Sequence, residues 1–192
     1  VYKADYVPVG KDQEQHLELS RNIASRFNKQ FGEFFILPEP LFTDVPKLLS
    51  LADPTKKMSK SLGPKHYIGL FEDEKKIRKK IRSAVTDTGG IQGPEMSPGV
   101  KNLFELLRAC NKTEIIEVLK HDYESGNLKY AILKDEVANA IVELTDSLRK
   151  KKEEILSNRD INKIIKESSE KTREIAVKTI AEVRKICGLP VR

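Results

Sequence analysis

The sequence predicts two architectures in one chain, an α/β part to about residue 87 and an all-α part after it. Three observations carry this. Short apolar runs alternate with helical stretches and loops before residue 87. A Gly/Pro-rich stretch follows (Gly89, Gly90, Gly93, Pro94, Pro98, Gly99), and beyond it only helical periodicity remains. Finally, 33% of the 192 residues are charged while only 10 are Gly and 9 Pro, which suits a helix-rich chain.

Taken in order, Tyr6-Val7-Pro8-Val9 reads as a short β run that stops at Gly10. Asp12 suits the N-cap of a helix over 12–31, whose Leu19, Ile23, Phe27 and Phe31 recur at helical spacing and predict an inward face. Phe34-Phe35-Ile36-Leu37, closed by Pro38 and Pro40, predicts a strand or extended segment, and Leu48-Leu49-Ser50-Leu51 predicts another. The latter feeds a loop over 53–64. A basic helix follows over about 73–85, with Ile77, Ile81 and Val85 inward. In the second part, helices are expected over 98–110, 112–120, 130–156 and 160–187. The third carries Leu133, Val137, Ile141, Leu144 and Leu148 on one face, and the last ends at Gly188 and Pro190. Short connections predict antiparallel packing as a bundle.

The length suits one large domain or two small ones. No apolar run reaches membrane-spanning length, and no charged start leads into an apolar stretch, so no membrane partner and no secretory signal are expected. Cys110 and Cys187 lie far apart at no metal-binding spacing, so neither a disulfide scaffold nor a metal site is expected, and the chain reads as cytoplasmic. The net charge of +6 can attract a polyanion, but taken alone it favours an ordinary surface. Val1 opens directly into a strand-like run, which predicts that the chain is cut from something longer.

The chemistry-bearing stretch is Asp53-Pro54-Thr55-Lys56-Lys57-Met58-Ser59-Lys60-Ser61-Leu62-Gly63-Pro64. It follows a candidate strand, at the kind of strand end where open α/β sheets bind ligands. Lys57 and Lys60, three apart among small hydroxyl residues, can bring compact, rotatable ammonium donors onto a polyphosphate and stabilise charge developing at phosphorus. The plain alternative is a solvated basic loop.

Lys57-Met58-Ser59-Lys60-Ser61 matches the KMSKS motif of class I aminoacyl-tRNA synthetases at every position. Upstream, Val7-Pro8-Val9-Gly10-Lys11-Asp12-Gln13-Glu14-Gln15-His16 resembles the strand-turn-helix of bacterial-type tryptophanyl-tRNA synthetases, which usually reads V-P-V-G-E-D-Q-x-Q-H. Arg26-Phe27-Asn28, Pro38-Glu39, Ser50-Leu51, Asp53-Pro54-Thr55-Lys56, Ala84-Val85-Thr86-Asp87 and Gly99-Val100-Lys101-Asn102-Leu103 extend the resemblance over essentially the whole chain. It implies that residues 1–87 are the second half of a Rossmann-like catalytic domain. Residues 88–192 would be a helical-bundle anticodon-binding domain.

The activity implied is ATP-dependent activation of tryptophan to tryptophanyl-adenylate and transfer to tRNA(Trp). Lys57 and Lys60 would hold the ATP phosphates, with Lys60 acting at the transition state. Met58, Ser59 and Ser61 would shape the loop and supply backbone contacts. Gly10, Lys11 and Asp12 match the family's ATP-contacting turn, Gly10 admitting close backbone approach and Asp12 tethering the lysine loop. Gln13 would lie next to the substrates and Leu48 against adenine. Mg²⁺ would travel with ATP. The family is homodimeric at full length.

Departures are equally specific. Lys11 stands where the family usually has Glu, so any role there is expected to be mainly through its backbone. No His-Ile-Gly-His type motif occurs in the chain, and Asp5 does not align with the family's indole-selecting Asp. The 192 residues alone are therefore expected to be inactive. The rival readings are a tyrosyl or other class I synthetase, and a non-catalytic tRNA-binding helical module. His16 reads as a helix-packing residue, and His66 and His121 show no partners at useful spacing. Lys75, Lys76, Arg78, Lys79, Lys80 and Arg82 form a basic helix face, either solvated or on the tRNA backbone. Tyr123 and Tyr130 read as packing residues rather than base-stacking ones, and Lys150, Lys151 and Lys152 as a solvated stretch.

Overall fold

The computed structural model describes residues 1–45, 47–86, 95–158 and 160–190. The expected boundary at residue 87 and the Gly/Pro stretch over 89–94 lie outside the described residues. These fold as two compact units, one from Val1–Pro46 with Ile155–Arg192 and one from Lys47–Glu154. Six α-helices are present among the described residues.

In the first unit, strand β1 (Tyr6–Pro8) leads through a 3₁₀ turn (Lys11–Gln13) into helix α1 (Glu14–Phe31) and returns as β2 (Glu39–Leu41). The strands pair in parallel, Tyr6 opposite Glu39, Val7 opposite Pro40 and Pro8 opposite Leu41. A parallel pair needs a crossover, and α1 supplies it. The second strand begins beyond Phe34–Leu37, so of the two readings of that run, strand or extended segment, the strand is not formed. Part of the backbone of that run is already bonded to side chains of α1. Asn28 accepts from the Phe34 and Phe35 amides and donates to the Phe35 carbonyl, while Arg21 donates to the Leu37 and Pro38 carbonyls. Pro40 is tolerated because the ladder bonds fall on its neighbours: Glu39 N–H donates to Asp5 O, and Val9 N–H to Leu41 O.

Asp12 is not the cap of α1. It sits within the 3₁₀ turn, and Gln13 holds the cap position without a side-chain bond. The inward face also differs from the expected one. Leu17 and Ala24 are buried, whereas Leu19 and Ile23 are 60% and 61% exposed. Phe27 lies within 6 Å, centroid to centroid, of Phe31, Phe34 and Phe35, so aromatic packing at the end of α1 closes the turn into β2. Helix α6 (Ile161–Ile186) is capped by Asp160, whose side chain accepts from Lys163 N–H. Its stop falls as expected, with Leu189 N–H donating back to Arg184 O. Among its described residues only Thr179 is buried, and Ile164, Ile165, Ile175 and Ile180 are exposed.

The second unit holds the main apolar core. Leu51 joins Ile77 and Ile81 of α2 (Glu74–Arg82), Val100, Leu103 and Leu107 of α3 (Pro98–Ala109), Leu119 of α4 (Thr113–Glu124) and Leu133, Val137 and Ile141 of α5 (Tyr130–Asn158). Each fully buried leucine or isoleucine contributes about 1.5–3 kcal/mol relative to exposure. On α5 the inward stripe continues through Thr145, fully buried, rather than Leu144 and Leu148, which face outward. The Thr145 hydroxyl donates to Val142 O, so the polar group is satisfied inside its own helix.

Helix α3 is tightly docked, with seven of its residues buried. Ser97 caps it by accepting from Val100 N–H, Pro98 occupies its first turn, and the Ser97 hydroxyl also donates to Thr86 O. A Cβ at Gly99 would lie 2.2 Å from Val85 O and 2.8 Å from Thr86 O, so only glycine allows this approach. Among the described residues, no helix is long and apolar enough to cross a membrane.

Candidate active site

The lysine loop is rooted in the second unit. Instead of the expected full strand, Leu48–Leu51 forms one antiparallel bridge, Leu49 opposite Lys57. Met58 N–H donates to Leu48 O and Ser50 N–H to Lys56 O, so the loop leaves and returns side by side. Strand pairing on the other edge of Leu49 is replaced by a side chain. Asn102 of α3 accepts from Leu49 N–H at 2.8 Å and donates to Leu49 O at 3.0 Å.

The turn inside the loop is set by short polar side chains. Asp53 accepts from the Thr55 hydroxyl at 2.6 Å and its amide at 3.2 Å, and pairs with Lys56 at 2.9 Å. The Thr55 hydroxyl, then Lys56, hold the carboxyl of Asp53 down from 3.8 to about 2. Ser59 caps a 3₁₀ turn over Lys60–Leu62 by accepting from Ser61 N–H, and the two serine hydroxyls lie 2.7 Å apart. Gly63 ends that turn at φ 101°, where any side chain would be strained. Met58 packs half-buried against the core beside Leu48, while Lys57, Lys60 and Ser61 are exposed. The pentapeptide thus has an apolar anchor with a lysine on either side of it. The loop can present mobile cations from a fixed root.

The other predicted binding residues lie in the first unit. Gly10, Lys11, Asp12 and Gln13 share one turn, closed by Gln13 N–H donating to Gly10 O. Gly10 adopts φ −75° and ψ 159°, a conformation open to any residue. The Lys11 ammonium pairs with Glu14 at 2.8 Å and lies 5.0 Å from the centre of the Phe42 ring. Gln13 donates to Asp12 at 3.2 Å.

Several weaker candidates sort themselves by contact. His66 does have a partner: its Nδ1 lies 2.8 Å from the Ser50 hydroxyl. Ser50, His66 and Asn102 are the residues at this site whose roles the sequence reading did not assign. Motif matches covered Ser50 and Asn102, but the pairings span 16 and 53 residues of chain. His16 is exposed rather than packed. The basic face of α2 divides. Lys80 pairs with Glu72 at 2.6 Å, donates to Tyr67 O and lies over the Tyr67 ring, and Arg78 is held by Glu74 and Asn139. Lys75, Lys76, Lys79 and Arg82 remain exposed. Tyr123 packs against the core and donates to Glu95 O. Among the described residues, no three His, Cys, Asp or Glu side chains cluster as a metal site.

A bridged loop thus carries Lys57 and Lys60 beside the helical core of the second unit. The model of the family described as tRNA synthetases class I (W and Y) matches residues 1–146, and the chain belongs to this family. More particularly, the chain is 37% identical over 193 residues to a tryptophan–tRNA ligase of Halalkalibacterium halodurans, covering 98% of this chain and 58% of that relative. Its fold is similar to the crystal structure of tryptophanyl-tRNA synthetase from Mycoplasma pneumoniae, with a TM-score of 0.81 and 32% identity over 98% of this chain and 59% of that one. The Campylobacter jejuni tryptophanyl-tRNA synthetase, solved with ADP and tryptophan, is similar at a TM-score of 0.63 and 29% identity, over 98% of this chain and 58% of that one. The chain thus spans about three-fifths of the length of these relatives.

Proposed function

We propose that this chain is the lysine-loop and helical portion of a tryptophan–tRNA ligase. The carrying observation is the loop itself. Lys57 and Lys60 are exposed on a turn whose root is fixed by Met58, Leu48 and the Leu49 bridge, within a chain whose similarity to tryptophan–tRNA ligases runs along 98% of its length.

In this reading Lys57 and Lys60 bind the phosphates of ATP. As the tryptophan carboxylate attacks the α-phosphorus, negative charge grows on the departing pyrophosphate, and Lys60 stabilises it most. Exposed ammonium groups on a loop suit this task, since they can follow charge that moves during the reaction. Ser59 and Ser61 hold the 3₁₀ turn, and Met58 fixes how far the lysines reach. The turn at Gly10–Gln13 and Leu48 bind the remainder of the nucleotide and the substrate side. The ammonium of Lys11 is engaged by Glu14, which leaves its backbone for that contact. Mg²⁺ would be carried by the ATP phosphates, on which it neutralises charge. Residues 1–87 then belong to the catalytic domain and 88–192 to the anticodon-binding domain of a cytoplasmic homodimer that charges tRNA(Trp).

ATP–pyrophosphate exchange by the full-length protein containing this chain tests the proposal. Tryptophan should drive exchange and tyrosine should not, and the 192 residues alone should give none. Exchange driven only by tyrosine would move the assignment to the tyrosyl branch. RNA binding without any exchange would favour a non-catalytic module.

A further inference from the structure

Gly99-Val100-Lys101-Asn102-Leu103 matches the family, yet nothing in the chemistry above uses it. Asn102 is 3% exposed, and both ends of its amide are spent on one distant residue, Leu49. A side chain that donates to and accepts from the same backbone residue takes the place of a neighbouring strand. Leu49 is the residue that bridges to Lys57.

The surrounding bonds make this a clamp on the root of the loop. Ser50, fully buried, accepts from the amides of Ala52 and Asp53 through its hydroxyl oxygen. The same hydroxyl lies 2.8 Å from His66 Nδ1, a hydrogen bond that joins the two sides of the loop. Ser50 precedes the lysine loop and His66 follows it. Val85 N–H donates to Leu51 O, and Gly99 brings the start of α3 against the Val85 and Thr86 carbonyls. The loop's root is therefore tied to α3 at Leu49, closed on itself at Ser50 and backed at Leu51.

We propose that Asn102 is a positioning residue for the lysine loop, setting the register in which Lys57 and Lys60 are presented. Side chains in a bridged pair alternate between faces, so a slip of one residue at Leu49 would turn Met58 out of the core and Lys57 toward it. Removing the amide takes both partners from the half-buried N–H and C=O of Leu49, at the point where register is set. The proposal rests on the reading that Lys57 and Lys60 meet ATP.

The test uses the full-length protein with Asn102→Ala and Asn102→Asp. Its readouts are single-turnover adenylate formation per active site, tryptophan affinity, and amide hydrogen exchange. For Asn102→Ala the rate per active site should fall about 10–100-fold, because misplacing a catalytic group by an ångström costs that much, with tryptophan affinity held within about twofold. Amides at 56–61 should exchange faster while those at 103–107, in the core of α3, stay protected. Asn102→Asp keeps an oxygen for Leu49 N–H and should recover part of the rate; it also bears the test if the alanine variant does not fold. An unchanged rate per active site in a folded variant would overturn the proposal. So would equal loosening of 103–107, which would mark a purely structural residue. A parent protein that forms no adenylate from tryptophan would count against the functional reading instead, and the exchange pattern at 56–61 would still decide the clamp.

Discussion

Asp53 shows how much of the lysine loop depends on single side chains. Its carboxylate gathers the Thr55 hydroxyl and amide and the Lys56 ammonium, and so closes the turn from which Lys57 emerges. These partners lower its pKa from 3.8 to about 2. A carboxyl depressed in the folded state stabilises that state fully above its unfolded value and loses the effect as pH falls through its folded value. The contribution of Asp53 is thus complete above pH 3.8 and fades toward pH 2. An NMR titration should place its midpoint near 2, and Thr55→Ala, which removes the largest cause, should move it back toward 3.8. A midpoint near 3.8 in the parent would show that the turn does not close this way. The pentapeptide Lys57–Ser61 was legible in the sequence because its residues act as neighbours. The Ser50–His66 and Asn102–Leu49 pairs were not, because hydrogen bonding between residues 16 and 53 positions apart leaves no local spacing to read.

At the level of elements, strong periodicity was a reliable guide, while short apolar runs were a mixed one: Tyr6–Val9 does supply β1, and Leu48–Leu51 forms only a bridge. All six helices lie where period 3.6 placed them, with ends shifted by a few residues. The two runs that form no full strand share one physical cause. Phe34–Leu37 and Leu48–Leu51 have strand-like composition, yet side chains of α1 and α3 take much of the hydrogen bonding that a ladder would use. Helix faces were misread where burial is slight: α1 turns Leu17 and Ala24 inward and leaves Leu19 and Ile23 outside. Close docking of α3 yields a sharper expectation. Gly99→Ala places a methyl against two backbone carbonyls that no rotamer change can relieve, and should cost about 1–3 kcal/mol. Urea unfolding should show a lower midpoint at unchanged slope. An unchanged midpoint would mean that α3 sits farther from Val85 than described.

The whole molecule divides into a unit built on a parallel βαβ crossover and a unit built on a helical core with the lysine loop at its margin. The family resemblance was legible from motifs spread between Val7 and Leu103, which include one contiguous five-residue match. The compact units were not legible. They join residues far apart in sequence, 155–192 with 1–46, and only the fold groups them. The most direct test of the central claim is single-turnover adenylate formation from tryptophan and ATP by the full-length protein, with parent and Lys60→Ala compared. Loss of one group that stabilises transition-state charge should lower the rate about 10²–10³-fold while tryptophan affinity changes only modestly. An unchanged rate in the Lys60→Ala protein would contradict the account.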